Sequence, residues 1–225
     1  MKLFKNHISK DTQKLVRLLE EYSIDCILDV GANVGQYAID VRKGGYKKHI
    51  VSIEPLAQNI EHLQSISGKD DAWHIAPQMA LGSENTETEI NVSEASDMSS
   101  VLDIEDITLQ ALPKGQYVKK EVVPLLRLDS VFDKLMPQGC TKHLLKVDTQ
   151  GFEQEVLNGA TGVLNKIQGI QLELSLFPLY RDEPTFEDIT KWVKSQGFEP
   201  YLVINGYYSK KIERQLQLDI VFFKS

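Results

Sequence analysis

Features of secreted and membrane proteins are scarce in this sequence. Its 225 residues include two cysteines, Cys26 and Cys140, and neither stands in a CxxC or other metal-ligand spacing. No apolar run reaches the roughly 18 residues that a membrane-spanning helix needs, and the first residues lack the apolar core of a signal peptide. We therefore expect no disulfide framework and no membrane span, and we predict a cytoplasmic protein.

Clustered positive charge is missing as well. The formal net charge is −7, and adjacent lysines occur only as isolated pairs such as Lys47-Lys48 and Lys119-Lys120. Affinity for a phosphate backbone comes largely from patches of lysine and arginine. We therefore predict that nucleic acid is not a partner.

A hydrophobic content of 42% is enough for one sizeable core. Residues 11–22 predict an amphipathic helix, so residues 1–24 form a flanking segment and residues 25–225 a single domain. Strands and helices then alternate, which is typical of an α/β fold with a parallel sheet. Between residues 82 and 117 this rhythm breaks, and we expect a hairpin and a loop over residues 93–115. About seven strands are expected, over residues 25–30, 49–53, 73–81, 143–148, 170–174, 201–204 and 218–223.

The first of these strands ends in a glycine-rich turn, Asp29-Val30-Gly31-Ala32-Asn33-Val34-Gly35. Glycine lets a backbone turn sharply and approach a ligand where a side chain would collide. The dinucleotide fingerprint G-x-G-x-x-G would need glycines in place of Asn33 and Gln36, so the pyrophosphate cradle is missing. Asp29 precedes the first glycine, which favours a cofactor with a cationic amino-acid tail. S-adenosylmethionine has such a tail, and Asp29, Gly31 and Gly35 are its candidate contacts.

Glu54 ends the second strand, about one βαβ unit after the turn, and Pro55 opens the next helix. A carboxylate at this position can accept the hydroxyl hydrogens of a ribose. The alternative is a structural acid that favours the positive end of the helix dipole. Because the glycine turn precedes it, we predict that Glu54-Pro55 belongs to the same nucleoside site.

Lys146, Asp148 and Glu173 are ionisable groups on two later strands, near the edge where ligands bind in open α/β sheets. By alternation Lys146 and Asp148 share one strand face, and such a pair can orient an acceptor hydroxyl and take its proton. Glu173 lies within an apolar strand, which costs free energy unless the acid is partnered. Structural ion pairs are the alternative for all three. No metal is assigned, although Asp148 and Glu173 leave a divalent ion open.

In the order and spacing of its motifs, the sequence resembles the FkbM family of S-adenosylmethionine-dependent methyltransferases. The resemblance spans residues 25–223 and rests on the glycine turn, Glu54-Pro55, Ala80-Leu81-Gly82, Leu128-Asp129, residues 146–153 and Asp219-Ile220-Val221-Phe222. It implies a class I methyltransferase (Rossmann-like) fold. Such a fold has helices on both faces of a seven-stranded, mostly parallel sheet whose last strand is reversed.

The resemblance also implies site residues. Cofactor contacts are carried over by position to Asp29, Gly31, Ala32, Asn33, Gly35, Glu54 and Pro55, with Ala80 and Leu81 near the adenine and Ser99 and Ser100 beside the pocket. Many family members carry Asp-x-Glu-Gly after the fourth strand, whereas Gln150 stands in the place of that glutamate here. Asp148 therefore becomes the stronger candidate base.

The resulting hypothesis is an S-adenosylmethionine-dependent O-methyltransferase. Asp148 assists proton removal, Lys146 and Glu173 position the acceptor, and the acceptor is a small molecule or glycan that offers a sugar or secondary-metabolite hydroxyl. Two alternatives stay open: a nicotinamide-dependent oxidoreductase, which Asn33 and Gln36 disfavour, and a non-catalytic cofactor-binding scaffold. A homo-oligomer is also left open.

Overall fold

The computed structural model describes residues 8–94, 98–112 and 115–224. Its main sheet contains β1 (Cys26–Val30), β2 (His49–Ile53), β3 (Trp73–Ile75), β7 (His143–Val147), β8 (Ile167–Ser175), β9 (Phe198–Asn205) and β12 (Gln217–Lys224). The strand order is β3-β2-β1-β7-β8-β12-β9. All neighbouring strands are parallel except at β12, which is antiparallel to both β8 and β9. The predicted α/β fold with seven strands and a reversed last strand is confirmed.

The helices cover both faces of this sheet. They are α1 (Lys10–Glu21), α2 (Gln36–Gly44), α3 (Ala57–Ser67), α4 (Asp106–Ala111), α5 (Leu128–Leu135), α6 (Glu153–Gly159), α7 (Phe186–Ser195) and a 3₁₀ helix over Thr161–Lys166. The first three helices share one core cluster, and α5, α6 and α7 share the other. Helix α1 begins where the Ser9 side chain accepts a hydrogen bond from the Thr12 N–H. Strands β1 and β7 are buried at every position because helices cover both of their faces.

A second, three-stranded sheet is built from β4 (Ala80–Leu81), β5 (Thr86–Ser93) and β6 (Tyr117–Leu126), in the order β4-β6-β5. The prediction of a single strand over residues 73–81 is therefore wrong. The main-sheet strand β3 ends at Ile75, and the chain then crosses to pair β4 with β6. A short hairpin, β10 (Tyr208–Ser209) with β11 (Arg214–Gln215), lies between β9 and β12.

The predicted loop over residues 93–115 contains helix α4. Residues 95–97 and 113–114 of that loop, and the first seven residues of the predicted flanking segment, lie outside the described residues. Both cysteines are free thiols. Within the part of the chain that the structure describes, no helix has the length and apolar content needed to cross a membrane.

Candidate active site

A cavity of about 680 Å³, including its open mouth, lies at the edge where β1, β2 and β7 end. Eight of the predicted cofactor residues line it: Gly31, Asn33, Glu54, Pro55, Ala80, Leu81, Ser99 and Ser100. Met79 and Ile90 add apolar side chains to its wall, and Asp148, which follows β7, also lines it. We call this space the cofactor cavity.

Glu54 is held rigidly on the wall of the cofactor cavity. Its Oε2 accepts the Asn33 N–H at 2.8 Å, while Oε1 accepts the Leu56 N–H at 3.1 Å and the Asn59 amide at 3.0 Å. Burial raises the pKa of Glu54, and these three hydrogen bonds oppose the rise. Because a carboxylate offers about four acceptor positions, one remains for a ligand hydroxyl.

The glycines of the turn make room for the protein's own chain. Gly31 has φ +74°, and a Cβ there would lie 1.8 Å from the backbone oxygen of Asp148. Gly35 has φ +83° and packs against side chains including Leu63 and Trp73. Asp29, Ala32 and Gly35 do not line the cofactor cavity. Gly31 thus allows β1 and β7 to end close together, which brings Asp148 to the cavity wall.

Gly31→Ala is expected to destabilise the protein strongly. The backbone would force alanine into a left-handed φ, and the added Cβ would overlap the Asp148 carbonyl. We expect a loss of at least about 2 kcal/mol in the free energy of unfolding, measured by urea denaturation. Gly139→Ala is the matched control, since Gly139 has φ +89° but no atom within 4 Å of the added Cβ. Equal losses in the two variants would contradict the close-approach explanation.

Asp29 and Lys146 form a buried ion pair beneath the cavity. The Lys146 Nζ lies 3.0 Å from Asp29 Oδ1 and 3.5 Å from Asp148 Oδ2, and it donates to the Gly31 carbonyl at 3.3 Å. The Lys146 side chain is 5% exposed, and that of Asp29 is fully buried. Burial lowers the pKa of Lys146, but Asp29 and Asp148 outweigh it and hold this pKa well above the usual value. Lys146 is therefore a fixed cation rather than a base.

A second cavity, of about 760 Å³ including its mouth, adjoins the first. Its walls come from α1, α2 and the sheet, and they carry Lys146, Asp148, Gln171, Glu173 and Asp219. Gln36 and Asp148 line both cavities. The three predicted catalytic residues are thus brought together on the wall of the second cavity, and Asp148 stands at its boundary with the cofactor cavity.

Gln150 joins two of the carboxyl groups of the second cavity, those of Asp148 and Glu173. Its Nε2 donates to Asp148 Oδ1 at 2.9 Å and to Glu173 Oε2 at 2.6 Å, while its Oε1 accepts the Tyr180 hydroxyl at 2.8 Å. The Ser100 hydroxyl donates to the backbone oxygen of Gln150 at 2.6 Å. Since a glutamine can donate to both carboxyl groups at once and a glutamate cannot, Gln150 fixes their orientation.

Comparison with known proteins identifies the family. The sequence model of the methyltransferase FkbM domain matches residues 29–200. The chain belongs to the FkbM methyltransferase family. A search of curated proteins finds no match to this member of the family.

Solved structures show the same fold at low identity. The FkbM methyltransferase from Methylobacillus flagellatus KT is 15% identical with a TM-score of 0.50, and the match covers 88% of this chain and 43% of that one. Magnesium protoporphyrin IX methyltransferase from Synechocystis PCC 6803, solved with bound S-adenosylhomocysteine, is 10% identical over 95% of this chain and 82% of its own, with a TM-score of 0.51. A protein of the NADB-Rossmann superfamily from Streptococcus agalactiae is 12% identical with a TM-score of 0.51, and the match covers 100% of this chain and 72% of that one. The class I methyltransferase fold is confirmed.

The sequence analysis missed residues that line the second cavity or contact its wall. Tyr37 and Gln171 line it, and the Tyr37 hydroxyl donates to Gln171 Oε1 at 3.0 Å. Gln217 donates to Glu173 Oε2 at 2.7 Å. Alternation along β8 places Gln171 on the same face as Glu173, and that signal was available in the sequence. Nothing in the sequence marks Tyr37 or Gln217.

Two glutamates, the half-buried Glu173 and the buried Glu153, hold their protons more strongly than an exposed glutamate does. Burial, together with the nearby charges of Asp148 and Asp219, raises the pKa of Glu173 well above its usual value. Burial also raises the pKa of Glu153 to about 7, although the Thr149 N–H donates to its Oε1 at 2.7 Å and opposes the rise. In the folded protein Glu173 therefore keeps its proton to a higher pH than an exposed glutamate does.

Stability is expected to fall as the pH rises from about 4.5 to 7, because folded Glu153 keeps its proton in this window and unfolded Glu153 does not. Glu153→Gln removes this pH dependence. The free energy of unfolding of the variant should therefore rise by up to roughly 3 kcal/mol relative to that of the parent between pH 4.5 and 7.5. Urea denaturation at a series of pH values measures the difference. Glu187→Gln, at an exposed glutamate in the first turn of α7, is the control and should leave the pH profile unchanged. A parallel pH profile in Glu153→Gln would contradict the assignment.

Proposed function

We propose that this chain is an S-adenosylmethionine-dependent O-methyltransferase that acts on a hydroxyl of a sugar, glycan or secondary metabolite. The observation that carries the proposal is the position of Asp148, which lines both the cofactor cavity and the second cavity. A carboxylate at that boundary can receive a proton from an acceptor hydroxyl that faces a methyl donor. The proposal also rests on membership of the FkbM methyltransferase family.

The cofactor cavity fits a nucleoside. Its apolar wall at Met79, Leu81 and Ile90 suits an adenine ring, and the remaining acceptor position of Glu54 suits a ribose hydroxyl. Glu54 and Asp148 are the carboxylates on this wall, whereas Asp29 lies behind it, paired with Lys146. When bound, S-adenosylmethionine would supply a methyl group on a positively charged sulfur that departs as a neutral thioether.

The residues of the second cavity act on the acceptor. Asp148 takes the hydroxyl proton, and Gln150 holds the Asp148 carboxylate toward the boundary of the cavities. Lys146 places a fixed positive charge 3.5 Å from Asp148. Glu173, whose pKa is raised, offers a hydrogen-bond donor for positioning in its protonated form. Alignment of acceptor and donor can supply up to roughly 7–11 kcal/mol, and a general base contributes about 10²- to 10⁴-fold.

Isothermal titration with S-adenosylmethionine and S-adenosylhomocysteine, with NAD as the control, tests the cofactor. We expect micromolar binding of the first two and no binding of NAD, because the turn lacks the dinucleotide fingerprint. Binding of NAD instead would favour the oxidoreductase. Binding of none of the three would overturn the proposal and favour a scaffold.

A further inference from the structure

The charge of the second cavity is strongly one-sided. The sheet side of its wall carries the carboxyl groups of Asp148, Glu173 and Asp219, and the helix side carries those of Asp11 and Asp40, which pair with Lys14 and Lys43. Lys146 is the only cation among the described residues that line it. That cation is already engaged by Asp29 at 3.0 Å and by the Gly31 carbonyl at 3.3 Å. The cavity therefore holds no positive group that is available to an anionic ligand.

Asp219 is the carboxylate of this wall with the fewest partners. Its Oδ1 accepts the Gln171 amide at 3.3 Å, and no ion pair among the described residues involves it. Tyr37 in turn donates to Gln171, which fixes the amide that faces Asp219. Lys146 is near enough to favour the charged form of Asp219, but it forms its ion pairs with Asp29 and Asp148. A partly buried carboxylate without an ion-pair partner costs free energy, and a ligand cation would offset that cost.

Asp219 also lies where an acceptor would reach it. In the antiparallel pairing of β12 with β8, Asp219 is directly opposite Glu173, whose Oε2 shares the Gln150 amide with Asp148. A molecule in the second cavity that places a hydroxyl at Asp148 therefore extends along this wall past Glu173 toward Asp219.

We propose that the acceptor carries a protonated amine that Asp219 binds. This amine lies beside the hydroxyl whose proton Asp148 takes, as in an amino sugar or another amine-bearing polyol. The inference deepens the proposed function and rests on it. We expect acceptors with a phosphate or carboxylate in the second cavity to be rejected, because they would face its carboxyl groups without a free cation.

The test uses the full chain saturated with S-adenosylhomocysteine at pH 7, titrated with D-glucosamine, D-glucose and D-glucose 6-phosphate. We expect D-glucosamine to bind at least about tenfold more tightly than D-glucose, as one charge-assisted contact would give, and D-glucose 6-phosphate to bind most weakly. Equal or weaker binding of D-glucosamine, or no binding at all, overturns the inference. Failure of S-adenosylhomocysteine to bind would instead overturn the proposed function.

Asp219→Asn removes the charge and keeps the shape. We expect it to abolish the preference for D-glucosamine while the affinity for S-adenosylhomocysteine changes less than twofold. Asp71→Asn, at an exposed carboxylate that lines neither cavity, is the matched control and should keep the preference. An unchanged preference in Asp219→Asn overturns the inference.

A pH series on the unsubstituted protein gives a second readout. Burial and Asp148 raise the pKa of Asp219 to about 6. The affinity for D-glucosamine should therefore fall as the pH is lowered from 7 to 5 and Asp219 takes up a proton, while the affinity for D-glucose stays level. A flat profile for D-glucosamine also overturns the inference.

Discussion

Asp148→Asn is expected to lower the turnover number by about 10²- to 10⁴-fold, which is the range that a general base contributes. The amide cannot take the acceptor proton, but it keeps the size of the carboxylate at the boundary of the two cavities. Since Glu54 and the apolar wall remain, the affinity for S-adenosylmethionine should change only a few-fold. Formation of S-adenosylhomocysteine and isothermal titration measure the two quantities.

Asp133→Asn is a suitable control for this variant. Asp133 is exposed and pairs with Lys166 at 2.6 Å, away from both cavities. Its turnover number should match that of the parent. Unchanged turnover in Asp148→Asn would remove Asp148 from the role of base, whereas loss of cofactor binding would make it a cofactor ligand instead.

Lys146→Met is expected to lower the free energy of unfolding by about 3–5 kcal/mol, because it leaves Asp29 charged and buried without a counter-ion. For a chain of 225 residues this corresponds to a fall of about 10 °C in Tm. Urea denaturation followed by circular dichroism gives the first quantity, and calorimetry gives the second.

Two further variants separate loss of the ion pair from loss of packing. Lys166→Met breaks an exposed pair, so it should cost no more than about 1 kcal/mol. The double change Asp29→Asn with Lys146→Met removes both charges and should recover part of the loss. If Lys146→Met costs no more than Lys166→Met, the buried pair does not stabilise the fold.

The sequence predicted the sheet well where burial sets the pattern. Strands β1 and β2 were placed within one residue of their ends, because apolar runs between glycine turns are typical of central strands. The prediction for the region after β3 was wrong for a physical reason. Alternation shows that residues 80–81 are extended, but it does not show that they pair with β6 in another sheet.

The candidate site was predicted in part. Residues of the glycine turn and Glu54 carry a recognisable spacing, and eight predicted cofactor residues do line the cofactor cavity. Their individual roles stay predictions. Asp219 was part of a motif without an assigned function, because its position opposite Glu173 depends on a pairing between strands about 45 residues apart. Gln36 lines both cavities, but the sequence marked it only as a departure from the dinucleotide fingerprint.

The insertion of β12 between β8 and β9 has a consequence for synthesis of the chain. A ribosome makes β8 and β9 before β12, so each of these two strands is synthesised ahead of the strand that joins them in the sheet. Until residues 217–224 follow, both neighbouring edges stay open to other chains. Newly made molecules are therefore prone to aggregate until β12 pairs with β8 and β9. The same strand places Asp219 on the wall of the second cavity.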